Sequence, residues 1–244
     1  MSDARPPSLA LLLRELPWLP LIAASRFRRA DKVDLAGDLG DQSPPVVVFP
    51  GLLSHDSSTS LLRRTFSASG FAAYPSGLGF VTGVTPERLE KGYRRLEEVC
   101  DIHGEPAIIL GWSLGGIYAR VLAQRHPELA KMVVTLGTPF SGNRRANNAW
   151  RIYNALNDHT VDAPRLADDF SAKPPVHTVA VYSRTDGVVP PECAWGMEHE
   201  RDAAHCLDVS HMAFGSGRRA AQAVTRIVSS ELVKVQPPTS AVST

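Results

Sequence analysis

The sequence predicts an α/β protein with a mostly parallel central sheet and helices on both of its faces. Short apolar, β-branched runs alternate along the chain with helical patterns, which is the arrangement of a parallel sheet. The 244 residues are 43% hydrophobic and 21% charged, with a net charge of +1, as is ordinary for a folded protein. This balance excludes an intrinsically disordered chain and a general nucleic-acid binder, which would show a strongly basic face.

The first half of the sheet is predicted from two apolar runs. Residues 46–49 are a continuous β-branched run that is typical of a strand buried on both faces. A helical pattern begins near Ser60 and ends before Gly70, and residues 71–74 predict a second strand.

The clearest helix lies between Thr85 and Gly104. Thr85 can cap it, Pro86 suits its first position, and Glu87 lies beside its positive end. A strand at residues 107–110 is expected directly after it.

The second half of the chain continues the alternation. The predicted elements are a helix at 114–125, strands at 132–135, 176–182 and 206–209, and a final helix from Gly217 to about Val233. Residues 141–175 interrupt the pattern, because they contain no strand and are too long for a plain connection. We interpret them as a short lid inserted into a single domain of residues 31–235, with residues 236–244 expected to be a disordered tail.

Residues 1–30 are expected to form an amphipathic segment packed on the core, with a surface anchor as the alternative. The apolar stretch is interrupted by Arg14, Glu15, Pro17 and Pro20, so neither a signal peptide nor a membrane span is predicted. We therefore expect a cytoplasmic protein, with a weak membrane-surface contact through residues 9–22 as the peripheral alternative.

One glycine-rich turn has the context of a nucleophile elbow. In Gly111-Trp-Ser113-Leu-Gly115, the serine follows a predicted strand and opens a predicted helix. Such a turn strains the serine backbone, and side chains at Gly111 or Gly115 would collide with it. The alternative is a glycine-rich turn with an incidental serine.

A nucleophilic serine needs a base and an acid, which in this order of elements follow it in the chain. Asp186 comes directly after the strand at 176–182, and His211 follows the strand at 206–209. Asp186 would orient His211, which would take the proton from Ser113. Asp208 is the alternative acid, although a position within a strand would point it along that strand's face.

An oxyanion hole needs two N–H donors. One is expected from Leu114, the residue after the nucleophile, and the other from the loop that begins at Gly51. Leu52 is the first choice for this second donor, and Leu53 is the alternative. His55 in the same loop is interpreted as a surface histidine, with substrate contact as the other possibility.

The cysteines and nearby histidines do not predict a metal site. The spacing of Cys193, His199, His205 and Cys206 differs from zinc patterns, so a plain loop is expected. A bridge between Cys193 and Cys206 is geometrically feasible, but a reducing cytoplasm disfavours it. No metal and no cofactor are predicted.

The chain resembles bacterial intracellular members of the esterase/lipase branch of the α/β-hydrolase superfamily. The matching blocks are Pro50-Gly-Leu-Leu53, Gly111-Trp-Ser-Leu-Gly-Gly-Ile-Tyr-Ala-Arg120, Leu136-Gly-Thr-Pro-Phe140, Ser183-Arg-Thr-Asp-Gly-Val-Val-Pro190 and Ser210-His-Met-Ala-Phe214. The resemblance implies the α/β-hydrolase fold and a cofactor-free carboxylic-ester hydrolase. It also implies Ser113, Asp186 and His211 as catalytic triad, with Leu52 and Leu114 as oxyanion donors.

The expected substrate is a small acyl ester, cleaved through an acyl-enzyme on Ser113. Four side chains are expected to contact it, Leu53, Trp112, Trp150 and Tyr153. An apolar acyl pocket is expected between the lid, including Leu156, and the loop at 78–80, although core or lid packing explains these residues equally well. A thioesterase, an acyltransferase and a non-catalytic binding protein on the same fold remain alternatives, and the oligomeric state is not predicted.

Overall fold

Six parallel strands form the central sheet, which confirms the predicted fold class. The computed structural model describes residues 4–35 and 43–235, so the predicted tail at 236–244 lies outside the described residues. In the described chain the spatial order is β2-β1-β3-β4-β5-β6. The strands are β1 (Val46–Phe49), β2 (Ala73–Pro75), β3 (Ala107–Trp112), β4 (Ala130–Leu136), β5 (His177–Tyr182) and β6 (Ala203–Cys206).

Nine helices belong to the described residues. They are α1 (Leu9–Leu13), α2 (Trp18–Ala24), α3 (Ser60–Ala68), α4 (Pro86–His103), α5 (Leu114–Arg125), α6 (Trp150–Leu156), α7 (Pro191–Trp195), α8 (His211–Ser216) and α9 (Arg218–Val235). The cap predicted for α4 is present, because the Thr85 side chain accepts the N–H of Arg88, and Gly104 ends the helix in the left-handed conformation.

The two faces of the sheet pack against different helices. Val47 and Ile109 share one apolar cluster with side chains of α4 and α5, whereas Val48 and Leu110 share another with side chains of α3 and α9. Neighbouring residues in a strand point to opposite faces. The runs in β1 and β3 are therefore apolar throughout because both of their faces are covered.

Both edge strands differ from their predicted positions. β2 ends on Pro75, which an edge strand tolerates because one of its sides needs no ladder hydrogen bond. β6 lies at Ala203–Cys206 instead of the predicted 206–209, which corrects that assignment. Leu207 and Val209 are apolar because they pack on the core from the loop that follows β6, so their hydrophobicity does not mark a strand.

Residues 141–175 contain the short helix α6 and no strand. Arg120, which is buried on α5, donates hydrogen bonds to the carbonyl oxygens of residues 170–172 at the end of this segment. The segment is thereby attached to the helix that follows Ser113. Its function as a lid stays a prediction.

The N-terminal segment forms α1 and α2. Leu9, Leu13 and Leu19 on these helices are exposed, whereas Glu15 between them is 3% exposed. Among the residues that the structure describes, no helix combines the length and the apolarity needed to cross a membrane.

Candidate active site

Ser113 lies at the turn between β3 and α5 with φ 54° and ψ −122°. Ser113 and Leu53 are the only non-glycine residues of the described chain with positive φ. The N–H of Ser113 donates to the carbonyl oxygen of Leu136 at 2.8 Å, which ties the turn to β4. A serine in this conformation is strained, as the sequence predicts for an elbow.

Gly111 and Gly115 allow two close backbone approaches at this turn. A Cβ on Gly111 would lie 2.2 Å from the Gly115 carbonyl oxygen, and a Cβ on Gly115 would lie 2.2 Å from that of Phe49. Both distances are far below van der Waals contact, so larger residues would move the backbone. The turn therefore depends on glycine at both positions.

Asp186 and His211 form a buried pair. His211 Nδ1 lies 2.7 Å from Asp186 Oδ2, while Asp186 Oδ1 accepts the N–H groups of Val188 and Val189 at 2.8 Å each. Both side chains are almost fully buried. These bonds orient the carboxylate, so the ring of His211 has a defined direction.

The pKa of His211 is raised above its ordinary value of 6.5. Burial acts most strongly and lowers the pKa, but the charge of Asp186, its hydrogen bond to the ring and the charge of Glu15 raise it by more in total. The positive imidazolium is thus favoured by two carboxylates. A histidine in this setting can accept a proton from a nearby hydroxyl.

Ser113 and His211 line the same cavity. The described residues form no hydrogen bond between the Ser113 hydroxyl and His211, and such bonds often tighten only when substrate is bound. Trp112 is buried under the histidine, and its indole Nε1 donates to the His211 carbonyl oxygen at 3.0 Å. This contact indicates that Trp112 supports the His211 backbone.

Asp208 is engaged elsewhere. It is exposed and forms a bidentate ion pair with Arg184, whose backbone N–H it also accepts. The side-chain hydrogen bond from Arg184 lowers the pKa of Asp208 to about 2. The alternative in which Asp208 pairs with His211 therefore does not describe this structure.

The two candidate donors in the loop after β1 differ. The N–H of Leu53 donates to the Val81 carbonyl oxygen at 2.7 Å, so it is not available to substrate. The N–H of Leu52 forms no such bond within the described chain. Leu114 is the first residue of α5, where N–H groups have no partner inside the helix.

Two cavities meet at the serine. The larger has a volume of about 560 Å³ and includes Leu53, His55, Trp112 and His211 in its wall. The smaller has a volume of about 80 Å³ and an apolar wall. The two share Leu52, Ser113 and Ala149.

The expected acyl pocket is partly different in the structure. Trp150 and Tyr153 of α6 line the smaller cavity beside Ser113. Leu78, however, is buried in the core, and Leu156 is exposed. Phe80 lines the larger cavity instead. The loop at 78–80 and α6 therefore both border the larger cavity, through Phe80 and Ile152, whereas only α6 lines the smaller one, because Leu78 is buried in the core.

The cysteines form no bridge. Cys100 and Cys193 are buried, Cys206 is exposed, and all three are free thiols. Burial raises the pKa of the Cys193 thiol to about 11, which keeps it protonated near neutral pH. The part of the chain that the structure describes contains no cluster of side chains suited to a metal ion.

Comparison with known proteins agrees with this architecture. A sequence profile of the family described as alpha/beta hydrolase fold matches residues 93–173, which include the Ser113 turn and most of the insertion. The protein has the α/β-hydrolase fold.

Solved structures with this fold resemble this chain along most of its length. One is a protein of Acinetobacter baumannii AYE provisionally assigned as a lipase, with 17% identity, a TM-score of 0.59, and coverage of 93% of this chain and 95% of that one. Another is a monoacylglycerol lipase of Paleococcus ferrophilus, with 15% identity, a TM-score of 0.55, and coverage of 79% and 96%.

A third similar structure is MGS-MChE2, an α/β-hydrolase enzyme from the metagenome of Mar Chica lagoon sediments in Morocco. It is 19% identical, with a TM-score of 0.56 and coverage of 79% of this chain and 92% of that one. No curated protein sequence matches significantly. At these identities the similarity shows the fold of this chain alone.

One residue of this candidate site is not expected from the sequence. The sequence presents Glu15 only as an interruption of an apolar stretch, but its buried carboxylate accepts hydrogen bonds from the backbone N–H groups of Gly187, His211 and Met212. The sequence signal that could have identified Glu15 is that it is the one acidic residue within an apolar segment.

Proposed function

We propose that this protein is a serine hydrolase that cleaves carboxylic esters through an acyl-enzyme on Ser113. The observation that carries the proposal is the buried Asp186–His211 pair, whose histidine lines the same cavity as the strained Ser113. A serine hydroxyl becomes a good nucleophile only when a base removes its proton. This chain supplies both groups at one edge of the sheet.

In the proposed reaction, Ser113 Oγ attacks the ester carbonyl carbon while its proton passes to His211. The carbonyl oxygen becomes an oxyanion, for which the N–H groups of Leu52 and Leu114 are the proposed donors. The intermediate collapses by breaking the bond to the alcohol oxygen, which receives the proton from His211. Water, deprotonated by His211, then attacks the acyl-enzyme and releases the acid.

The two cavities are proposed to receive the two halves of the ester. His211 must deliver its proton to the leaving alcohol, and it lines only the larger cavity. The alcohol half therefore belongs in the larger cavity and the acyl half in the smaller one. The smaller cavity has a volume of about 80 Å³ against about 560 Å³ for the larger one, which favours an acyl half that is small relative to the alcohol half.

The first test is fluorophosphonate labelling of the purified protein followed by peptide mapping, with Ser113→Ala as the control. We expect label on Ser113 only, and none on the variant. A folded protein without label would overturn the serine mechanism and favour a binding protein on the same fold. Labelled protein would then be assayed with matched esters and thioesters, because a thioesterase or an acyltransferase would use the same three residues.

Contact of residues 9–22 with a membrane surface stays a prediction. Leu9, Leu13 and Leu19 are exposed on this segment, and Leu19 also lines the larger cavity. Liposome sedimentation of the full chain would test this membrane contact, with a Leu9→Asp, Leu13→Asp double variant as the comparison. Protein that stays in the supernatant at low salt would exclude the contact.

A further inference from the structure

Glu15, a carboxylate of the N-terminal segment, lies next to the backbone of the Asp186–His211 pair. Glu15 belongs to the connection between α1 and α2 and is 3% exposed. It is the one acidic residue between Leu9 and Ala24. Burying a carboxylate is costly unless hydrogen bonds or charges compensate it, so its partners identify what it does.

Three backbone N–H groups compensate the charge of Glu15. Oε1 accepts those of Gly187 at 2.9 Å and His211 at 2.7 Å, and Oε2 accepts that of Met212 at 3.0 Å. Within the described residues no cation forms an ion pair with this carboxylate. Hydrogen bonds from N–H groups to a buried carboxylate are about twice as strong as neutral ones.

The three donors belong to the two segments that carry Asp186 and His211, namely the turn after β5 and the start of α8. Gly187 directly follows Asp186, and His211 and Met212 begin α8. Apart from the Asp186–His211 bond itself, Ser183 links the same loops through its hydroxyl, which bonds to the backbone of Val209. Ser183 acts at the end of β5, whereas Glu15 acts at the histidine itself.

The N-terminal segment fits closely against this region. A Cβ on Gly187 would lie 2.3 Å from the Leu11 carbonyl oxygen and 2.9 Å from Cγ of Glu15. The side chain of Asn148 from the insertion donates to the carbonyl oxygens of both Pro7 and Gly187. The N-terminal segment therefore packs through several residues against the turn at Asp186 and Gly187, here called the acid turn.

We propose that Glu15 is a positioning residue of the active site, which holds the acid turn and the histidine helix in register and stabilises the imidazolium of His211 by its charge. The second role rests on the proposed serine mechanism, because proton transfer to His211, first from Ser113 and then from water, forms that cation during turnover. The charged or titratable groups around His211 are Asp186, Glu15, His55 in the wall of the same cavity, and Arg28 at the far end of α8.

Glu15→Gln is the direct test. The side chain keeps its size, but the amide has one acceptor oxygen and an NH₂ group that would face a backbone donor. We expect kcat to fall by about tenfold to 10²-fold, the cost of a small misplacement of catalytic groups, with little change in KM. The acidic limb of the pH profile of kcat/KM should move to lower pH, because a charge that favours protonated His211 is removed.

Glu200→Gln is the matched control. Glu200 is also buried, and its carboxylate accepts a backbone N–H, that of Met197, at 2.6 Å, but it lines neither cavity. Each protein is assayed well below its own unfolding temperature. We expect kcat and the acidic limb of Glu200→Gln to match those of the wild-type protein.

An NMR titration of the His211 side chain in the same three proteins separates this proposal from the serine mechanism, since it needs no turnover. A lower His211 pKa in Glu15→Gln alone, together with the loss of kcat, supports the proposal. A folded Glu15→Gln protein with the wild-type titration and kcat would overturn it. A wild-type protein without Ser113-dependent turnover would overturn the proposed function, while the titration still decides on Glu15.

Glu15→Asp is the second variant, used if Glu15→Gln does not fold. It keeps the charge but is one methylene too short to reach all three donors, so kcat should fall while the acidic limb stays close to that of the wild-type protein. Wild-type kcat in Glu15→Asp would show that the three bonds do not position the histidine and would overturn the proposal.

Discussion

Asp186 Oδ2 lies 2.7 Å from His211 Nδ1, and neither side chain is exposed by more than 3%. The other carboxylate oxygen of Asp186 is held by two backbone N–H groups. The acid is thus oriented by the main chain, and it orients the histidine in turn. This series of contacts ends at the cavity that His211 shares with Ser113.

Substituting the two candidate acids, Asp186 and Asp208, by asparagine should have unequal effects on kcat. Asp186→Asn removes the charge that selects the His211 tautomer, and a loss of about 10⁴-fold in kcat is expected for such a change. Asp208→Asn is the matched control and removes only an exposed ion pair with Arg184, which contributes at most about 1 kcal/mol to stability. Steady-state kinetics of both variants decide the matter, and a large loss in Asp208→Asn would contradict the assignment.

The pH dependence should reflect the raised pKa of His211. The histidine must be neutral to accept a proton, so kcat/KM should rise with pH through a midpoint above 6.5. The pH profile of ester hydrolysis measures this midpoint. A midpoint at or below 6.5 would contradict the effect of the two carboxylates.

The contribution of His211 to folding stability should fall as pH rises, whereas activity rises. A raised pKa in the folded protein means a stabilising contribution that is complete below the unfolded pKa of about 6.5 and is lost as pH rises through the folded value. Unfolding of the wild-type protein and His211→Asn, compared over about pH 5 to 9, should therefore show a stability difference that shrinks at high pH. A constant difference would argue against the shift.

Ser113→Gly should abolish activity and increase the stability of the folded protein. Glycine adopts a φ of 54° without the steric penalty that serine carries, and the relief is expected to be about 1 kcal/mol or more. Turnover should disappear because the nucleophile is absent. Denaturant unfolding beside Ser113→Ala, which keeps the strain, isolates the backbone contribution. If Ser113→Gly were less stable than Ser113→Ala by the roughly 0.5–1 kcal/mol that glycine costs at an unstrained position, the elbow would not be strained.

Trp150→Ala should lengthen the preferred acyl chain. Trp150 lines the smaller cavity, and its truncation enlarges the space proposed for the acyl half. Ile152→Ala is the control from the same helix, since Ile152 lines only the larger cavity and should alter the preference for the alcohol half. A panel of esters that varies one half at a time measures both. The assignment of the cavities would be reversed if the two variants showed the opposite pattern.

The buried parts of the fold were predictable because their residues have a single environment. β1 and β3 are apolar throughout, since both of their faces are covered, and the ends of α4 carry Thr85 and Gly104 as expected. The edge strand β6 was misplaced because Leu207 and Val209 are apolar for a loop that packs on the core. Hydrophobicity reports burial, and a short apolar run does not by itself distinguish a strand from a loop that packs on the core.

By itself, the sequence determined the parallel sheet, the glycine-rich turn at Ser113, and the order in which Asp186 and His211 follow it. These features are local, because they depend on periodicity and on the steric demands of single turns. The tertiary structure decided which acid meets the histidine, which N–H groups of the loop after β1 form hydrogen bonds within the chain, and which cavity each residue of α6 lines. It also placed Glu15 against His211, 196 positions away in the chain, a contact that arises only when the N-terminal segment packs on the completed sheet.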